Sequence, residues 1–139
     1  MKKITLCCIA LLMSSLTFAR DDVASYPVMD ALDTNLLGDD ISFYFGSTKH
    51  PEIIKTHGEY PTNKKTNAFN KSDQEACNWA FLSAMTSLRD RARKEGGNAI
   101  VNIRSNYKSN TTTSETEFKC GAGTFVAGVA LIGTVVTVK

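Results

Sequence analysis

A helix is encoded more clearly than any other element of this chain, between residues 72 and 97. Ser72 can accept hydrogen bonds from the free amides of a helix start, while Glu75 reaches back to the cap residue. Gly96 and Gly97 favour a helix end. Apolar residues recur between these limits at spacings of three and four: Cys77, Phe81, Ala84, Met85, Leu88 and Ala92. Such an amphipathic helix has to bury its stripe against another layer, and we expect that layer to be a sheet.

Strands are indicated on both sides of this helix by β-branched and aromatic runs. Residues 41–45, 99–103 and 116–120 are predicted as strands, the second leading on to Tyr107, and residues 53–56 as a weaker one. Residues 108–114 are polar and predict a loop or a ragged hairpin tip. The polar stretch 55–70, with Gly58 and Pro61, predicts either a long twisted hairpin or an irregular loop.

The tail from residue 121 to residue 138 carries no charge, and this uncharged stretch is long enough to raise the question of a membrane span. Its glycines, threonines and valines make a poor membrane helix and favour a buried strand over residues 129–138 after a glycine-rich bend. The expected fold is therefore a single α+β domain over residues 20–139. Its main helix packs on a small, mainly antiparallel sheet.

The first 19 residues have the three parts of a secretory signal peptide. Lys2 and Lys3 precede an apolar run over residues 4–12, and Thr17 and Ala19 supply the small residues of a cleavage site after Ala19. An uncleaved membrane anchor is the alternative, but charged residues from Arg20 onward end the apolar run before it reaches the roughly 20 residues of a spanning helix. Cys7 and Cys8 lack the small preceding residues of a lipid-attachment site. We expect an exported protein, periplasmic or secreted.

Net charge argues against nucleic-acid binding. Without Lys2 and Lys3, the 16 basic residues of the chain fall to the number of its 14 acidic ones, and phosphate binding needs a basic surplus. The middle of the chain is nevertheless basic, through Lys49, Lys55, Lys64, Lys65 and Lys71. This region is either ordinary solvated surface or a patch that touches anionic lipid headgroups.

The two cysteines beyond the predicted signal peptide, Cys77 and Cys120, are a disulfide candidate in an exported protein. A metal site or two free thiols are the alternatives. The sequence contains no CxxC or HxxxH spacing that would support a metal site.

No catalytic motif is present: the phosphate-binding loop, GxSxG, HExxH and the EF-hand loop are all missing from the sequence. His50 and His57, each two residues before a glutamate, are weak candidates for a metal site or for proton transfer, and surface loops explain them as well. We expect neither an enzyme nor a cofactor.

Trp79 does not belong to the apolar stripe of the helix, because it projects nearly opposite Phe81. It is expected either to pack under the apolar N-terminal segment or to be an exposed recognition residue, with the first preferred.

Four runs of residues carry a family resemblance: 67–69, 71–73, 76–84 and 97–103. With them the chain resembles a group of small exported Gram-negative proteins commonly labelled excinuclease ATPase subunit. More distantly, the helix followed by Gly97-Asn98-Ala99-Ile100-Val101 is similar to YbjQ-like heavy-metal-binding domains and to RcsF-like domains. These resemblances imply a helix packed on a small antiparallel sheet. The lipid anchor and the second disulfide of RcsF have no counterpart in this sequence.

Two functions follow as hypotheses. The first is a non-enzymatic exported module that binds a partner protein or an envelope component through Trp79 or through Lys64 and Lys65. The alternative is a small-ligand or metal-ion binder that uses His50 and His57. Neither hypothesis requires nucleic acid or stable insertion of the mature chain into a membrane.

Overall fold

A computed structural model describes residues 20–139, so the predicted signal peptide and its cysteines lie outside the described residues. The chain forms, in order, β1 (Asp22–Pro27), α1 (Val28–Ala31), α2 (Thr34–Leu37), β2 (Ser42–Phe45), β3 (Ile53–Asn67), α3 (Asp73–Glu95), β4 (Ala99–Tyr107), β5 (Asn110–Thr112), β6 (Glu117–Ala122) and β7 (Val126–Val138).

Helix α3 forms where the sequence predicts it. The Ser72 hydroxyl accepts a hydrogen bond from the Glu75 amide at 3.1 Å, and Gly96 ends the helix in the left-handed conformation. The apolar stripe is buried in one core with Val129, Leu131 and Val135 of β7. The predicted packing of an amphipathic helix on a sheet is therefore confirmed.

The sheet is mixed and has seven strands, so it is larger than the small sheet expected. Strand β7 is its centre: one edge pairs with β3 along its whole length, and the other pairs with β6 near Gly128 and with β4 from Leu131 onward. β1 extends the sheet beyond β6. The β2–β4 pair is parallel, and the other recorded pairs are antiparallel. The α+β class is confirmed.

Residues 55–70 correct the sequence analysis. They form neither a hairpin nor an irregular loop, because all but the last three belong to the single long strand β3. Most side chains of β3 are exposed, so no apolar alternation marks it, and backbone pairing with β7 holds it in place. β7 also begins at Val126, ahead of the predicted start at residue 129.

Cys77 and Cys120 form the predicted disulfide, with their Cα atoms 5.9 Å apart. Both are fully buried, Cys77 on α3 and Cys120 on β6. Phe81 and Phe118 stack beside them with ring centroids 4.2 Å apart. The disulfide thus joins the first half of α3 to the sheet beneath it.

Among residues 20–139, no helix is long and apolar enough to span a bilayer. Most of the uncharged tail, from Val126 to Val138, forms β7, as its composition predicts.

Candidate functional site

The segment that contains α1 and α2 is fastened to α3 by two arginines. Arg89 Nη1 donates to the carbonyl of Leu36 at 2.8 Å, and Arg93 binds both carboxylate oxygens of Asp40 at 2.7 Å. The Arg93 guanidinium holds the pKa of the Asp40 carboxyl below its ordinary value. These contacts hold α2 and the residues just after it against the second half of α3.

An open groove of about 400 Å³ lies between this segment and α3. One wall is the stretch from Asp30 to Asn35, and the other is made by Asn78, Trp79 and Leu82. The Asp33 carboxylate caps α2 by accepting hydrogen bonds from the amides of the two residues after Thr34. Within residues 20–139, neither Asp30 nor Asp33 is in an ion pair.

Trp79 is 55% exposed at this groove, so its predicted burial under the N-terminal segment is wrong. The apolar residues that the segment does bury, Val28, Ala31 and Leu37, join the core with the stripe of α3. The segment consequently lies beside the indole as a groove wall and does not cover it.

Asn78 also lines the groove and carries a buried polar atom. Its side-chain oxygen is buried and has no hydrogen-bond partner among the described residues. A buried polar atom without a partner carries a desolvation penalty.

Lys64 and Lys65 do not form one patch. Both are on β3, and successive residues of a strand point to opposite faces of the sheet. Lys64 pairs with Val129, whose side chain lies in the core under α3, whereas Lys65 pairs with Gly128. A single ligand on one face would therefore meet only one of the two ammonium groups.

The two histidines have separate partners. His50 Nδ1 lies 2.7 Å from the carbonyl of Pro51, and His57 Nε2 lies 2.8 Å from the Thr137 hydroxyl. The glutamates that follow them are ion-paired with other residues, Glu52 with Lys139 and Glu59 with Arg104. Over residues 20–139, no three His, Cys, Asp or Glu side chains are grouped as a metal site would require.

Sequence reasoning found Trp79 but missed the other groove residues, Asp30, Asp33 and Asn78. The two aspartates reach the groove through tertiary packing of a segment remote in sequence, which no local pattern reveals. The one available signal was the position of Trp79 off the apolar stripe, because a large apolar side chain there indicates that another part of the chain lies beside it.

No family model, curated protein or solved structure matches this chain.

Proposed function

We propose that this protein is an exported, non-enzymatic binding module whose groove at Trp79 takes a cationic side chain, arginine above all, from a partner protein. The observation that supports this proposal is an indole more than half exposed in a groove whose facing wall carries two carboxylates that no described residue ion-pairs. Exposed tryptophans in concave sites are frequent anchors of protein interfaces.

Arginine fits the chemistry of the groove better than other side chains. Its planar guanidinium stacks on an indole face, an attraction of about 0.5–2 kcal/mol depending on desolvation. Its five N–H donors match carboxylate oxygens such as those of Asp30 and Asp33. A lysine offers the same charge but no planar stacking surface.

Export is supported by the disulfide. Disulfides persist in oxidising compartments and are rare in the reducing cytoplasm, and the Cys77–Cys120 bond is fully buried in the core. The metal-binding alternative gains no support from His50 and His57, because each ring has a different partner.

Trp79 is the only tryptophan of the chain, so its fluorescence reports directly on the groove. We expect a short arginine-rich peptide to change this fluorescence saturably, and a matched peptide with neutral citrulline in place of arginine to leave it unchanged. Binding should weaken as salt is raised, because the carboxylates are solvent-accessible.

Two variants test the assignment of the site. Asp30→Asn with Asp33→Asn should weaken binding of the arginine peptide roughly tenfold, because charge-assisted hydrogen bonds are lost. Asp39→Asn removes an exposed carboxylate outside the groove and should bind as the wild type does. Equal responses to the arginine and citrulline peptides, or equal binding by both variants, would refute the proposal.

A further inference from the structure

A second surface, outside the groove, carries three exposed apolar side chains. Phe69, Phe125 and Val126 are 55%, 65% and 49% exposed, and the two rings stack with their centroids 5.7 Å apart. We call these three residues the aromatic tip. None of them lines the groove at Trp79.

The aromatic tip is built from two connections held together by backbone pairing. The Ala68 amide, in the link between β3 and α3, donates to the Phe125 carbonyl at 2.8 Å, in the turn between β6 and β7. Asn67 and Val126 are the last paired positions of β3 and β7 at this end. The rings are therefore displayed by the end of the sheet and do not depend on a free loop.

Lysines flank the aromatic tip. Lys71 Nζ donates to the carbonyl of Asn67 at 2.9 Å, next to Val126. Lys65 lies on the same sheet face as Val126, because its partner Gly128 is two residues further along β7. Within the described part of the chain, neither lysine is in an ion pair.

Two carboxylates are engaged by Arg20, which also contacts the turn that carries Phe125. Arg20 binds Asp73 at 2.9 and 3.0 Å and Asp22 at 2.8 Å, and it also donates to the Gly123 carbonyl in the same turn as Phe125. Arg20, the first described residue, thus contacts the turn that carries Phe125.

We infer that the aromatic tip docks on the surface of an anionic lipid bilayer. Stacked phenylalanines with lysines at their rim match the chemistry of the interface: the rings enter the boundary between headgroups and acyl chains, and the ammonium groups face anionic headgroups. An apolar surface of this kind is costly in water. The attachment is peripheral and leaves the groove at Trp79 accessible, and it does not depend on what the groove binds.

Sedimentation with vesicles tests this inference on protein purified from the exported fraction. We expect binding to phosphatidylcholine vesicles that contain phosphatidylglycerol and much weaker binding to phosphatidylcholine alone. Phe69→Ser with Phe125→Ser should weaken binding on the order of tenfold or more. Lys65→Gln with Lys71→Gln should weaken it about fivefold for each lysine, on the vesicles with phosphatidylglycerol only.

The matched control is Met29→Ser with Ile54→Ser, which removes two exposed apolar side chains elsewhere on the surface. Ile54 is at the opposite end of β3, roughly 40 Å from Asn67 along the strand. This variant should bind vesicles as the wild type does. The inference would be overturned if the Met29 and Ile54 variant lost as much vesicle binding as the Phe69 and Phe125 variant. Equal binding of the wild type to both kinds of vesicle would overturn it as well.

A fluorescent version of the aromatic tip gives an independent readout. In Trp79→Phe with Phe125→Trp, the single indole sits in the tip, and its emission should shift to shorter wavelength on anionic vesicles. The wild type, whose indole is in the groove, should show no shift. The inference is refuted if the tip indole does not shift, or if it shifts with protein concentration in the absence of lipid, since a second copy of the chain would then cover the tip.

Discussion

Tyr107 and Asp21 link the end of β4 to the start of the described chain. The Tyr107 hydroxyl donates to Asp21 Oδ1 at 2.8 Å, and Lys108 pairs with the other carboxylate oxygen. Gly121 lies directly beneath the hydroxyl, at a distance that leaves no room for a Cβ atom. Hydrogen bonds from Lys108 and Tyr107 hold the pKa of Asp21 below its ordinary value, while burial and the Asp21 carboxylate raise the pKa of Tyr107 to about 12.

We predict that Tyr107 ionises only near pH 12, above the ordinary value for tyrosine. The folded protein keeps this proton between about pH 10, the ordinary value for tyrosine, and about pH 12. Its contribution to stability is therefore fully present below about pH 10 and is lost as the pH rises through about 12. Ultraviolet titration, with circular dichroism to confirm folding, should show a step near pH 12 that moves to lower pH in Asp21→Asn and disappears in Tyr107→Phe. A step near pH 12 that persists in Tyr107→Phe contradicts the assignment.

A helix or strand can be predicted from the sequence when the residues that determine it lie close together along the chain. Helix α3 has its cap, its apolar stripe and its terminal glycine within one stretch, so its position follows from the sequence. Strand β3 has an exposed, polar pattern, and β1 is exposed over nearly all its length. Both are held by backbone pairing with distant strands, β7 and β6, which no periodicity within their own residues encodes.

The disulfide is the covalent link between α3 and β6, and its removal should lower the free energy of unfolding. It closes a loop of 43 residues, for which the chain-entropy model gives about 4 kcal/mol of stabilisation. We expect Cys77→Ala with Cys120→Ala to lower the free energy of unfolding by roughly 2–5 kcal/mol, measured by urea denaturation. Wild-type protein treated with a reducing agent should show a similar loss. Finding two free thiols in denatured, unreduced protein from the exported fraction would contradict the disulfide itself.

For the molecule as a whole, the candidate surfaces were only partly predictable. The sequence singled out Trp79, and the packing of residues 30–35 beside α3 forms the groove in which its side chain lies. The sequence also singled out Lys64 and Lys65 as a unit, but strand alternation separates them between two faces. The aromatic tip was missed because Phe69 and Phe125 are far apart in sequence and meet only through the pairing of β3 with β7.

The mature chain is expected to begin directly after Ala19. Arg20 is the first residue after the expected cleavage site, and its guanidinium binds Asp73 at the start of α3 and the carbonyl of Gly123. The folded contacts thus reach back to Arg20, and a peptidase that cuts after Ala19 would remove none of them. Mass spectrometry of the exported protein should find Arg20 as the N-terminal residue.

Replacing Ala19 by the bulky, charged Lys should block processing, because signal peptidase requires a small residue at that position. The variant should accumulate as a precursor whose mass includes residues 1–19. Two results would contradict the export model: a retained Met1 in the wild-type exported protein, or a lipid attached to Cys7 or Cys8. The second would also attach the chain covalently to a membrane.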